Sequence, residues 1–205
     1  MTLKFLYFDL GRVLVDFSIE RMFRQIGDVA GLSPAAVREV IVHGGLFREI
    51  ESGRLSDREF FEAFCDGSHT RPDMDAMARA ASDIFELKRS MLPVVAQLRE
   101  AGWPLGILSN TCSAHWEHCA AQYRVLTEGF DVHALSYRIG AVKPEPAIFQ
   151  AAAELAGVRP DEIFFVDDIA VHIEGALAAG FDAVQYTTTA ALAAELRRRG
   201  VRFNY

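Results

Sequence analysis

The chain has 205 residues, 51% hydrophobic and 24% charged, which suits a soluble globular protein with room for a core domain and a smaller insert. A formal net charge of −7 argues against a nucleic-acid partner, whose phosphates call for a basic patch. Cys65, Cys112 and Cys119 show no disulfide framework, and neither a signal-peptide layout nor a run of about 18 apolar residues is present, so a cytoplasmic protein without a membrane partner is expected.

Leu3 to Phe8 is a mostly apolar run that meets Asp9 and then Gly11, the pattern of a short buried strand closed by a turn. From 16 to about 88 the pattern is helical throughout. Ile19, Met22, Phe23, Ile26, Val29 and Ala30 form one apolar stripe, stopped by Gly31. Ser33-Pro34 opens a second helix, which Gly44-Gly45 ends. Leu46, Phe47 and Ile50 make a short third, closed by Gly53. Ser56 to Glu59 has the form of a capping box for a fourth, and a fifth starts near Asp73 with Met74, Met77, Ala78 and Ala81 inward. The expected organisation is a small all-helical domain, residues 16–88, set into a core of residues 1–15 and 89–205.

Beyond 89, strands and helices alternate. The helix from Pro93 to Ala101 leads to a strand, Leu105 to Leu108, that ends in Ser109-Asn110. A helix from Ser113 precedes a strand over Val132–Tyr137, and Lys143 lies in the connection that follows. A helix with Ile148, Ala151, Ala152 and Leu155 on one face leads to the strand Ile163–Val166, which ends in Asp167-Asp168. The next helix has Ile173, Ala176 and Leu177 inward, followed by a strand over Ala183–Tyr186 and a helix over Ala190–Arg199. Arg197 to Arg199 suits that helix's C-terminus. This alternation predicts an α/β fold, a Rossmann-like parallel sheet with helices on both faces.

In a parallel sheet the strand ends lie on one edge, where open α/β folds bind ligands. Asp9, Ser109, Asn110, Asp167 and Asp168 are all strand-end residues here, and Lys143 joins them from a loop. Taken alone, Asp9 reads equally as a turn cap or as a nucleophile. Three carboxylates held together repel unless cations intervene. Lys143 supplies one charge, and a divalent cation with oxygen ligands, Mg²⁺, suits the rest. The set fits phosphoryl transfer: Asp9 attacks phosphorus, Ser109 and a helix N-terminus bind phosphate oxygens, and Lys143 and the metal neutralise charge.

Four stretches in this order, Phe8-Asp9-Leu10-Gly11-Arg12-Val13-Leu14, Leu108-Ser109-Asn110, Lys143-Pro144-Glu145-Pro146 and Phe165-Val166-Asp167-Asp168, resemble the motifs of the haloacid dehalogenase superfamily. The match lies in its branch with a helical C1-type cap, and is nearest to the bacterial α-D-glucose-1-phosphate phosphatase type. The resemblance implies that Asp9 is nucleophile and metal ligand, that the Gly11 carbonyl and Asp168 hold Mg²⁺ with Asp167 beside them, that Ser109 and Asn110 contact phosphate, and that Lys143 bridges phosphate and Asp9. It further implies a small phosphorylated metabolite as substrate. A metal-independent 2-haloacid dehalogenase and a phosphometabolite-binding protein with little turnover are the alternatives, and the assembly is a monomer or homodimer.

Most phosphatases of that superfamily carry an aspartate general acid where this chain has Gly11. Losing such a group costs about 10²–10⁴-fold. Leaving groups that tolerate negative charge, such as the anomeric oxygen of a sugar 1-phosphate, are therefore expected. Arg12 is a candidate for phosphate or cap contact, against a solvated turn residue. His172 stands where relatives carry Asn or Asp that support the metal site; an exposed helix residue is the expected reading and that supporting role the alternative. Glu51, Arg54 and His43 in the insert are given no role. Cys112, His115, His118 and Cys119 match no common zinc spacing and read as ordinary helix residues.

Overall fold

A computed structural model describes residues 2–204. β1 (Phe5–Phe8) is buried at every position, as a central parallel strand covered on both faces requires. The chain then turns through β2 (Val15–Phe17) into the insert: α1 (Ile19–Ala30), α2 (Pro34–Arg38) with a π turn over Glu39–His43, α3 (Leu46–Glu51), α4 (Asp57–Ser68) and α5 (Met74–Ser82). It returns through β3 (Phe85–Leu87). Next come α6 (Leu92–Glu100), β4 (Leu105–Ser109), α7 (Ser113–Gln122), α8 (Val125–Glu128), β5 (Val132–Leu135) and α9 (Ser136–Ile139). The chain finishes with α10 (Pro146–Ala156), β6 (Ile163–Asp167), α11 (Ala170–Ala178), β7 (Asp182–Gln185) and α12 (Thr189–Arg198).

The five-stranded sheet has the order β5-β4-β1-β6-β7, with every pair parallel. Phe8 is in register with Ile107 on one side and Val166 on the other, so the ends of β1, β4 and β6 stand next to one another. The chain leaves β1 toward β4 and β5, then crosses back to β6 and β7. The reversal lies between β1 and β6, where such sheets open their ligand crevice. Leu6, Phe8, Ile107 and Val166 belong to one buried cluster, and Tyr7, Phe149, Phe165 and Ile173 to another.

The insert has a core of its own, with Met22, Phe23, Ile26, Phe64 and Met77 buried in it. Its helices start and stop at the expected residues. Ser33 accepts from the Ala36 N–H, Ser56 and Glu59 form the reciprocal box, and Gly31 ends α1 in the left-handed region at φ 70°.

Three local expectations are corrected. Residues 16–88 are not wholly helical, because β2 and β3 pair antiparallel as a two-stranded ribbon at the base of the insert. Each strand is three residues long, too short to show alternation in sequence. The strand expected over Val132–Tyr137 ends at Leu135, and Tyr137 lies in α9. Leu155 and Leu177 do not point inward; both are about half exposed. In α10 the buried residues are Ile148, Phe149, Ala152 and Ala153, a stripe rotated from the expected one, because an alanine-rich helix leaves its phase ambiguous. Val29 and Met74 likewise face outward more than their stripes imply.

Candidate active site

β1 delivers Asp9 to the sheet edge, where its backbone N–H donates to the Val166 carbonyl at 2.9 Å. The carboxylate is buried. Its Oδ1 accepts from the Leu10 N–H at 2.7 Å and pairs with Lys143 Nζ at 2.9 Å. Oδ2 has no protein partner among the described residues. Burial pushes this carboxyl up to about 6, against the pull of Lys143 and with the push of Asp167.

Lys143 is 3% exposed and stands between two carboxylates. Nζ donates to Asp167 Oδ2 at 2.5 Å and to the Leu108 carbonyl at 3.0 Å, besides its pair with Asp9. A buried ammonium is tolerated only when its donors and charge are matched in this way. Asn110 fixes the loop that carries it. The Asn110 side chain accepts from the Lys143 N–H at 2.7 Å and donates to the Lys143 carbonyl at 3.0 Å. Asn110 therefore acts on Lys143, and its amide is already engaged at both ends.

Asp167 is fully buried. Oδ1 accepts from the Ile169 N–H at 2.8 Å, and Oδ2 meets both Lys143 and His172 Nδ1, the latter at 3.0 Å. Burial acts to raise this carboxyl, but Lys143 and His172 override it and hold it at about 2. His172 is thus buried against Asp167, not an exposed helix residue. Asp168 is half-buried, with its carboxyl raised by burial and by Asp167. One ligand oxygen from each of Asp9, Asp167 and Asp168 lies within 4.8 Å of the others, the one group of this kind among the described residues. An all-carboxylate oxygen set suits a hard cation such as Mg²⁺. Cys112, His115, His118 and Cys119 do not converge on a metal-sized site.

Ser109, at the end of β4, is buried and makes a single long bond to the Asn110 carbonyl at 3.3 Å. Gly11 borders the cleft, and a Cβ added there meets Phe17 Cε1 at 2.8 Å. The space a side chain at 11 needs is held by the Phe17 ring. Arg12 is exposed, adopts φ 60°, and stacks its guanidinium 4.8 Å from the Phe17 ring centroid. Its contact is with the cap's entry strand.

The cleft above these residues is about 170 Å³, lined on the core side by Gly11, Ser109, Asn110 and Thr111 and on the insert side by Phe17, Phe47 and Glu51. Glu51 ends α3, and its carboxylate has no hydrogen-bond or ion-pair partner among the described residues. Burial pushes that carboxyl up to about 7, against the pull of Lys143 and with the push of Asp9. Sequence reasoning gave Glu51 no role, because nothing in a helix's own spacing says which end another domain covers. Arg54 and His43 are tied to Glu49 and Glu39 within the insert.

The sheet order, the helical insertion after β1 and the polar cluster at the strand ends together define the capped α/β hydrolases. The chain belongs to the haloacid dehalogenase-like hydrolase family, whose model matches residues 7–180. The D-ribitol-5-phosphate phosphatase of Bacteroides thetaiotaomicron is 30% identical over 193 residues, 89% of this chain and 91% of that protein. A solved HAD family enzyme from that organism, in complex with magnesium and inorganic phosphate, has a TM-score of 0.81 and 26% identity, covering 91% of this chain and 96% of its own. A predicted HAD-like family hydrolase from Porphyromonas gingivalis has a TM-score of 0.83 and 25% identity, covering 96% and 99%.

Proposed function

We propose that the protein is a magnesium-dependent phosphatase that hydrolyses a small phosphorylated metabolite through an aspartyl-phosphate on Asp9. The observation that carries this reading is Lys143, fixed between Asp9 and Asp167 while Asp9 Oδ2 stays without a protein partner. Oδ2 attacks phosphorus, and the bond to the leaving oxygen breaks. Lys143 holds Asp9 in place and faces the incoming phosphate. Ser109, whose hydroxyl makes only a weak internal bond, donates to a phosphate oxygen. Asp9, Asp168 and the Gly11 carbonyl hold the cation, which when bound neutralises phosphate charge. Asp167 adjoins them and orients Lys143. The magnesium and phosphate in the solved relative support this assignment. A dehalogenase needs no cation, and it leaves the cluster of Asp9, Asp167 and Asp168 unexplained.

The cleft supports a small organic group, since drug-sized ligands occupy about 300–1,000 Å³. Its phenylalanine walls suit a sugar or polyol chain. With no side chain at 11, a sugar 1-phosphate has the better leaving group. The relative that acts on D-ribitol 5-phosphate points instead to a primary alcohol. Turnover of glucose 1-phosphate well above that of glycerol phosphate supports the first; equal turnover calls for a proton donor elsewhere in the site.

The test is phosphate release from a panel of monophosphates with and without Mg²⁺, beside Asp9→Asn. Activity is expected only with the cation and only with Asp9. Turnover that survives Asp9→Asn removes the covalent mechanism.

A further inference from the structure

The structure leaves one chemical role without an occupant, and in the same cleft it holds a carboxyl, Glu51, with no hydrogen-bond or ion-pair partner among the described residues. Gly11 has no proton to give, and Phe17 fills the space where a side chain at that position would stand. Gly11 and Glu51 line the same cleft, and Glu51 is the one carboxyl among its described lining residues. We propose that Glu51, carried on the cap, donates a proton to the leaving oxygen and then accepts one from the water that hydrolyses the aspartyl-phosphate. This rests on the phosphatase reading.

The placement follows from how the cap meets the core. Gly53, two residues on, has φ 69°, and a Cβ there would lie 2.3 Å from the Tyr137 carbonyl oxygen in α9. The turn after α3 is thus pressed backbone to backbone onto the core. Ser52 is buried beneath it, with its hydroxyl donating to the Glu49 carbonyl at 3.1 Å. On the other side of the turn, Arg48 pairs with Glu145 across the seam at 3.0 Å. These contacts fix the end of α3 over the site. The carboxyl that results is half-buried, borders the cleft and has no hydrogen-bond or ion-pair partner among the described residues.

The step balances. Asp9 Oδ2 bonds to phosphorus as the ester P–O bond breaks, and the departing oxygen takes the Glu51 proton. The Glu51 carboxylate then removes a proton from water, whose oxygen attacks phosphorus and breaks the bond to Asp9. Inorganic phosphate leaves, and Glu51 ends protonated as it began.

The charged and titratable groups facing Glu51 are Asp9 from β1, Lys143 from the loop before α10, His172 from α11, and His115 and Cys112 around α7. Asp57 of α4 accepts from Ser113 through Oδ2 and lines the neighbouring apolar cavity, not this cleft. Burial pushes His115 down to about 4, so near neutral pH it carries no extra proton. The Glu51 carboxyl, raised to about 7, keeps about half of its protons there, so both the acid and the base form are on hand for donation and return.

The experiment compares wild type and Glu51→Gln in Mg²⁺ on phenyl phosphate and p-nitrophenyl phosphate, by steady-state and stopped-flow assays, with thermal unfolding as a check on the fold. Phenolate needs a proton to depart and nitrophenolate does not. Glu51→Gln is expected to lose about 10²–10³-fold in kcat on phenyl phosphate with KM little changed. On p-nitrophenyl phosphate it should give a burst near one equivalent per site, then slow turnover, because the aspartyl-phosphate forms but lacks its base. Glu51→Asp should recover part of the phenyl phosphate rate. Equal loss on both esters without a burst, or phenyl phosphate turnover within threefold of wild type, overturns the role of Glu51 alone. Absence of wild-type turnover on either ester overturns the phosphatase reading first, and this proposal with it.

Discussion

Asp9 and Asp167 are three ångströms or less from the same ammonium, yet their carboxyls are driven in opposite directions. Asp167 has three donors and is held at about 2. Its stabilising effect is present above the ordinary carboxylate value and lost only as pH falls through about 2. Asp9 is raised from 3.8 to about 6, so its folded form holds a proton that the unfolded chain has already lost. That contribution is fully present below about pH 4 and disappears as pH rises through 6. The cost of the ionised form is on the order of 2–3 kcal/mol by linkage. Between pH 5 and 8 Asp167 does not titrate, so Asp9 and Glu51, both raised by burial, set the slope together and in the same direction. The metal-free protein should therefore melt at lower temperature at pH 8 than at pH 5, and Mg²⁺ should raise the melting temperature markedly at pH 8 and little at pH 5. Scanning fluorimetry at both values checks this; an equal Mg²⁺ shift at the two would contradict it.

Single elements place groups that single residues cannot. The turn after α3 tolerates no side chain at Gly53, both because φ is 69° and because the neighbouring atom is a backbone oxygen that cannot rotate away. Gly53→Ala should lift the end of α3 from α9 and carry Glu51 with it. The expected result resembles Glu51→Gln, with phenyl phosphate losing about ten times more than p-nitrophenyl phosphate, while α4 and its cap stay folded by circular dichroism. Equal losses on both esters would mean that the turn matters only for cap packing. The elements differ in how far sequence discloses them. β1 is a continuous apolar run, and Ser56 and Glu59 announce α4, so both are readable. Asp9, Ser109, Lys143 and the pair Asp167-Asp168 were readable as a site because a parallel sheet places all its strand ends on one edge. Phe17 and Glu51 were not, and His172 was only the lesser of two readings, since their positions depend on how the insert sits and on which way α11 is rotated. Leu177 shows the same limit: its helical period is right, but the phase is set by packing that local spacing does not record.

The molecule is two packed bodies joined by the ribbon of β2 and β3, where Lys88 and Asp16 pair at 2.8 Å. Its cleft lies between the bodies, so the way the cap sits on the core sets how freely substrate enters and product leaves. The seam is closed by the contact at Gly53, by the bond from Ser113 to Asp57 at 2.7 Å, and by the pair of Arg48 with Glu145 at 3.0 Å. The last is exposed to solvent on both sides, so it contributes no more than about 1 kcal/mol and is screened by salt. Arg48→Ala should therefore lower kcat/KM by up to about fivefold at low ionic strength, through a smaller closed population. Salt also weakens phosphate binding in both proteins, so the informative quantity is the ratio of wild type to variant. That ratio should fall as salt is raised to about 0.5 M, where a Debye length of about 4 Å weakens an exposed pair without abolishing it. A ratio that stays constant across the series would place the effect of Arg48 in packing, not in the electrostatic closure of the cap.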